Sequence, residues 1–248
     1  MTATFVLSPG RCGTQWLARH LQASNPEGAV THEPLHLAYA PMTNSPSKPL
    51  AHHRELLLAH LAQIEGQLQQ GGHYMECGFP CWRHLDWFRQ ELGGDVKLIY
   101  IHRNPIDNAR SLLKLNVFVP PILPHLQEKQ FFHPEAPEAQ LPHYAGRWPD
   151  LTPFEKCLYY WAEVNLQAAR YRQDWPEQHW LTVPYDSLFT PATVARIADF
   201  SGLAFGLERD TFQPVDRFNG EPQGQVVPHA IGQHPEILAL ARQLGYAC

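Results

Sequence analysis

The chain has 248 residues, a mass of 28.3 kDa, and 44% hydrophobic against 17% charged residues. A globular chain of this length buries about 70–75% of the surface its unfolded form exposes, and this composition excludes disorder or a coiled coil as the main architecture. With 19 Lys+Arg against 24 Asp+Glu the net charge is −5, and no dense basic run offers a face to nucleic acid or an acidic membrane, so any anion must be captured locally.

No apolar run approaches the ~18 residues of a membrane span. The first strand-like run, Thr4 to Leu7, begins too early to leave room for a signal peptide, and the expected location is the cytoplasm. Cys12, Cys77, Cys81, Cys157 and Cys248 form an odd set without a CxxC pair, which predicts reduced thiols rather than a disulfide framework.

Thr4 to Ser8 is short, β-branched and aromatic, and breaks at Pro9-Gly10, as a buried strand entering a loop does. From Thr14 the residues Trp16, Leu17 and Leu21 recur at helical spacing up to Ser24-Asn25-Pro26, and a second strand is expected at Gly28 to His32. Arg54 to Gln70 carries Leu57, Leu58, Leu61, Ile64 and Leu68 as a helix stopped by Gly71-Gly72. A strand at His73 to Cys77, a helix over Trp82 to Leu92 and the most apolar strand, Val96 to Ile101, follow.

Pro105 opens a helix through Ala109, Leu112, Leu113 and Leu115, in a first-turn position where its missing N–H costs nothing. Residues 116–153 then lose periodicity and gather Pro120, Pro121, Pro124, Pro134, Pro137, Pro142, Pro149 and Pro153 with His125, His133 and His143. A long irregular segment of this kind within a compact domain reads as an insertion forming a lid or acceptor-binding wall. Helices at Phe154 to Trp175, Pro191 to Phe200 and Pro235 to Leu244 and a strand at His179 to Val183 complete the chain. Strands alternating with helices predict a three-layer α/β fold: a mostly parallel central sheet flanked by helices, in a single domain over 1–248.

Two segments carry the chemistry. Ser8-Pro-Gly-Arg-Cys-Gly-Thr14 lies between a buried strand and a helix, where backbone N–H groups and the helix dipole favour an anion. The plain alternative is a tight turn with a surface arginine. An ATP-binding Walker motif is not formed, because Gly13 is followed directly by Thr14 with no lysine, and Arg11 is the nearby cation. The second segment, Lys97 to Ser111, ends a buried strand with Arg103 and starts a helix containing Ser111. Ligands of parallel sheets sit at the carboxyl edge, so Arg103 is expected beside the first loop.

Arg11-Cys-Gly-Thr-Gln-Trp16 and Ile101-His-Arg-Asn-Pro-Ile-Asp-Asn-Ala-Arg-Ser111 together resemble the two signature segments of PAPS-dependent sulfotransferases, P-K-S-G-T-T-W and V-x-R-N-P-x-D-x-x-x-S. Tyr185-Asp-Ser-Leu188 resembles that family's Y-E-D-L, and the element order from residue 4 to about 205 is similar too. The resemblance implies a P-loop-like sulfotransferase architecture and PAPS as co-substrate, with no metal. It implies that Arg11 contacts the bridging and sulfuryl oxygens, that Gly13, Thr14 and Gln15 serve the 5′-phosphate, that Arg103 and Ser111 hold the 3′-phosphate, and that Trp16 and Tyr185 lie against adenine. Cys12 belongs to the same loop. The departures are Gly10 for proline, Cys12 for serine and Gln15 for threonine.

Sulfuryl transfer is an in-line displacement in which positioning and charge stabilisation do most of the work. The acceptor, a hydroxyl before an amine, needs a base. Thr31-His-Glu-Pro-Leu35 supplies Glu33 first, since several sulfotransferase branches place a Glu-Pro after the second strand, and His32 second. Glu33 as a surface carboxylate and His32 as a structural histidine are the bland alternatives. Glu76 and His102 are further pocket-edge candidates, and either could equally be support behind the site. Cys77, Cys81 and His84 match no zinc spacing and read as buried thiols with a neighbour. Arg217-Phe-Asn-Gly220 resembles the family's R-K-G loop but reads more simply as a turn. Phe118, Phe131, Phe132, Tyr144 and Trp148 fit either an apolar or aromatic acceptor or ordinary packing. A small-molecule kinase and a non-catalytic nucleotide-binding protein are the rival functions, and a free enzyme or a domain of a larger biosynthetic assembly fits the sequence equally.

Overall fold

A computed structural model describes residues 1–35, 50–78, 81–93, 95–119, 132–206, 221–222 and 224–247, without the side chains at 50–53, 81 and 83. Pro120, Pro121, Pro124, His125, Phe131, Arg217 to Gly220 and Cys248, and the side chain of Cys81, fall outside these residues.

Five strands, β1 (Thr2–Leu7), β2 (Val30–His32), β3 (His73–Cys77), β4 (Val96–His102) and β5 (Trp180–Pro184), pair in parallel in the order β2-β3-β1-β4-β5. The helices are α1 (Thr14–Gln22), α2 (Leu50–Gly71), α3 (Leu85–Glu91), α4 (Pro105–Leu113), α5 (Pro153–Asp174), α6 (Tyr185–Leu188), α7 (Pro191–Ser201) and α8 (Pro235–Gln243). The predicted α/β fold with a parallel sheet between helices is the one observed.

The chain forms two compact units, the first from residues 1–36, 54–102 and 168–215, the second from 37–53, 103–167 and 216–248. In the first unit the pleat sorts side chains by parity. Val6, Met75, Cys77, Ile99, Ile101 and Val183 face one way, onto Trp16, Leu17 and Leu21 of α1 and Val194, Ile197 and Ala198 of α7. On the other face the Phe5 ring meets Phe88 of α3 at 5.4 Å, and the indole N–H of Trp175 donates to the Val96 carbonyl at 3.0 Å. A sheet covered on both faces is mostly apolar on both, which is why β1 and β4 are rich in Val, Ile, Leu and Phe rather than strictly alternating.

The second unit takes in the proline-rich stretch. Pro142 opens a 3-10 helix over Pro142–Asp150, an element that its prolines hide from any periodicity search. Phe118, Phe132, Tyr144 and Trp148 are all buried, with Trp148 against Phe118 at 5.6 Å and against Tyr159 of α5 at 5.1 Å. These aromatic side chains are core packing. Glu163, also buried, accepts the backbone N–H groups of Gln140 at 2.9 Å and Leu141 at 2.8 Å, which gives an irregular backbone the partners it needs.

Tyr144 and His234 are fully buried and bonded, Oη to Nδ1 at 2.8 Å, and Nε2 of His234 lies 3.2 Å from Glu155 Oε1. A carboxylate only accepts, so Nε2 carries the ring proton and Nδ1 takes the tyrosine's. Tyr144→Phe leaves Nδ1 buried without its donor and is expected to cost about 1–3 kcal/mol, measured as a lower denaturant midpoint at unchanged slope.

Candidate functional site

The parallel register puts the carboxyl ends of β1, β2, β3 and β4 along one edge, with Leu7 opposite Tyr100, Val6 opposite Cys77 and Cys77 opposite His32. The Ser8 to Thr14 loop leaves that edge. Gly10, Arg11 and Gly13 have φ of 73°, 54° and 77°, all left-handed, and Gly13 is the N-cap of α1 with its carbonyl accepting from Leu17 N at 2.9 Å. Gly13 cannot be replaced without strain. A Cβ there would lie 2.8 Å from Leu188 and 3.0 Å from Phe189, the end of α6 and the residue after it.

Ser8 and Cys12 are fully buried, Ser8 Oγ accepting from Gly10 N at 3.3 Å and the Cys12 thiol donating to the Gly10 carbonyl at 3.1 Å. Gln15 is exposed on the first turn of α1. Thr14 is buried, and its hydroxyl faces His32 Nε2 at 3.3 Å. Trp16 and Tyr185 are joined by a residue that the sequence reading did not single out: Phe189 meets Trp16 at 4.9 Å and Tyr185 at 5.1 Å, both edge to face. Trp16 also lies on His20 at 3.9 Å. No periodicity marks Phe189, because its role arises from chain segments far apart in sequence.

Glu33 follows β2 with a left-handed φ of 47° and donates its backbone N–H to the Cys77 carbonyl at 3.1 Å. Its Oε1 lies 3.8 Å from His32 Nε2. Gly78 makes room for it, since a Cβ on Gly78 would come within 2.7 Å of Glu33 Cγ. The carboxyl pKa is raised to about 7, mainly by burial and further by the charge of Glu76, against the opposing pull of Arg11. Arg11, Gly13, Thr14, Trp16, His32, Glu33 and Tyr185 are thus all in the first unit, and Arg11, Thr14, His32 and Glu33 are linked by charge or contact.

Arg103 follows β4 directly, one residue before Asn104, which caps α4 by accepting from Ile106 N at 2.9 Å and Asp107 N at 3.3 Å. The Arg103 carbonyl accepts from the Trp161 indole at 2.9 Å. Ser111 is buried two turns into α4. Glu76 is interior, only 1% exposed. His102 is also buried, and its pKa is lowered by that burial, with Asp186 opposing. Cys77 is a buried thiol, pushed up in pKa by desolvation and then by Glu76. Among the described residues no group of three His, Cys, Asp or Glu side chains is placed to hold a metal ion, and no helix is long and apolar enough to cross a membrane.

No family model matches the sequence, and no curated protein matches it. Solved structures do match the fold. A sulfotransferase from Alicyclobacillus acidocaldarius is similar at a TM-score of 0.57 and 13% identity, over 100% of this chain and 97% of that one. The sulfotransferase domain of the curacin biosynthetic pathway gives 0.51 at 15% identity over 99% and 98%, and that of the Synechococcus PCC 7002 olefin synthase 0.50 at 17% over 100% and 95%. The chain has the sulfotransferase fold, as the two sequence segments lead one to expect.

A carboxyl whose folded pKa lies above its unfolded value binds more protons in the native state, so it costs stability as pH rises from about 4.5 through about 7. Glu33→Gln removes that cost. The variant is expected to be more stable than the parent by about 1–3 kcal/mol at pH 8 and nearly equal to it at pH 5, as measured by denaturant unfolding at the two pH values.

Proposed function

We propose that the protein is a PAPS-dependent sulfotransferase, moving a sulfuryl group from PAPS to the hydroxyl of a small-molecule acceptor and releasing PAP and a sulfated product. The observation that carries this reading is the Ser8 to Thr14 loop: a left-handed turn into the N-terminus of α1, holding Arg11 within electrostatic reach of Glu33, a carboxyl with a pKa near 7. An anion cradle and a base at one sheet edge are what in-line transfer to an alcohol requires.

In this reading the backbone N–H groups of the loop and the guanidinium of Arg11 take the sulfuryl and 5′-phosphate oxygens. The acceptor oxygen bonds to sulfur as the bond from sulfur to the phosphate oxygen breaks. The electron pair of that bond goes to the phosphate, where Arg11 balances it. The acceptor's proton goes to Glu33. A carboxylate with a pKa near 7 is still mostly ionised just above neutrality and is a stronger base than an ordinary one. His32, bonded to Thr14 and close to Glu33, orients the pair. Trp16 and Tyr185, both set by Phe189, take the adenine. Arg103 and Ser111 are assigned the 3′-phosphate on their motif. The work is done in the cytoplasm, without a metal ion.

PAP should raise the melting temperature more than ADP does, since only PAP carries a 3′-phosphate. Arg103→Ala should abolish that difference, and equal losses for both nucleotides would remove Arg103 from the role. Arg11→Ala should lower magnesium-independent sulfation by about 10²–10³. An enzyme that needs magnesium and consumes ATP instead would overturn the donor.

A further inference from the structure

Glu76 is out of place by composition. It is the penultimate residue of β3, between Thr31 of β2 and Phe5 of β1, and it is 1% exposed. Its Oε2 accepts from His60 Nε2 at 2.7 Å and from the Tyr74 hydroxyl at 2.9 Å, and Tyr74 also meets Thr31 Oγ1 at 3.0 Å. His60 comes from α2 and is 2% exposed, with the Phe88 ring perpendicular to it at 5.9 Å and Gln63 Oε1 3.5 Å from Nδ1.

A buried pair of this kind is a poor device for stability, since apolar side chains of equal volume do as well or better. Its neighbour gives it another use. Cys77, next in sequence to Glu76, accepts the backbone N–H of Glu33, so the acid of β3 and the acid after β2 lie at adjoining positions.

We propose that the buried His60–Glu76 pair sets the acid strength of Glu33, acting through its charge and not through contact with the substrate. His60 and Glu76 are positioning residues. This inference rests on the reading of Glu33 as the base of the proposed transfer.

Groups from neighbouring elements act on Glu33. Arg11 comes from the loop after β1, His32 from β2, and Glu76 from β3, with the Cys77 thiol held neutral by burial beside it. Facing Glu76 are His60 from α2, Tyr74 from its own strand and Thr31 from β2. Arg11 favours the ionised form of Glu33 and Glu76 disfavours it. Burial works against charge on His60, but its hydrogen bond to Glu76 and the charge there raise its pKa overall. A protonated His60 screens Glu76, while a neutral one exposes Glu33 to its full repulsion. Two buried residues thereby adjust a base at the end of the neighbouring strand.

The test is the titration of Glu33 in the free protein, followed by NMR of 13C-labelled carboxyl carbons and assigned by the signal lost in Glu33→Gln. Glu76→Gln keeps the shape and an acceptor for both donors while removing the charge, and should move the Glu33 midpoint down by about one pH unit. His60→Gln removes the group whose proton screens Glu76 and should move it up. Tyr74→Phe, which changes no charge, should leave it within a few tenths of a unit. The acid limb of the sulfation pH profile should follow the same order. A midpoint unmoved by Glu76→Gln, or moved in the same direction by both charge variants, overturns the inference. If Glu76→Gln melts below the assay temperature, the upward shift in His60→Gln decides alone. Opposite shifts in a protein that transfers no sulfuryl group from PAPS would uphold the pair and sink the function, and sulfation with an unmoved midpoint would do the reverse.

Discussion

The first unit turns on how β1 ends. A strand buried on both faces of a parallel sheet must bring its chain to the edge and reverse it into a helix within a few residues, and left-handed backbone at Gly10, Arg11 and Gly13 achieves this. The turn is held from below. Ser8 and Cys12 are buried and bonded to Gly10, and Gly13 lies against Leu188 and Phe189 so closely that no side chain fits. The loop's backbone amides are therefore fixed by core packing, and the anion site proposed for them is preorganised at the expense of a non-glycine residue, Arg11, in a left-handed conformation.

The same trade recurs on β2. Glu33 also has positive φ, is largely buried, and lies near another carboxylate. Each of these features opposes stability, and none is needed to close the sheet. Together they hold a carboxyl near pH 7 within reach of an arginine. The cost sits at the residues to which the proposed chemistry is assigned, whereas the cores of both units follow the ordinary rules of apolar burial and satisfied hydrogen bonds.

Most of the framework was legible because periodicity and punctuation agree. The β3 strand falls on His73–Cys77 as read, and β1, β4, α1 and α7 differ from the reading by one or two residues at their ends. The elements that escaped are those whose partners are remote. The 3-10 helix at Pro142–Asp150 is stabilised by aromatic contacts with α5 and has no sequence period of its own. Phe189 and Gly78 act across the sheet edge on Trp16, Tyr185 and Glu33. His60 left a trace, since a histidine three residues after Leu57 and next to Leu61 lies on the buried face of its helix, but only the fold shows that Glu76 is its partner. Glu76 fits either a pocket edge or support behind a site, and strand parity alone does not tell which side of the sheet it faces or how deeply it is buried.

The departures from the sulfotransferase loop pattern form a consistent set once the backbone is known. Proline is confined to φ near −65°, and Gly10 has φ of +73°, so this turn excludes the family's proline altogether. With Gly10 left-handed, its carbonyl points where the next side chain but one can reach it, and the Cys12 thiol donates to it from full burial beside Trp16 and Leu17. A serine at 12 would place a hydroxyl in that apolar cluster. Cysteine makes the same weak bond at lower desolvation cost. Cys12 thus serves the shape of the loop, and the proposed anion site is left to the backbone amides and to Arg11, whose own left-handed conformation continues the turn that Gly10 begins.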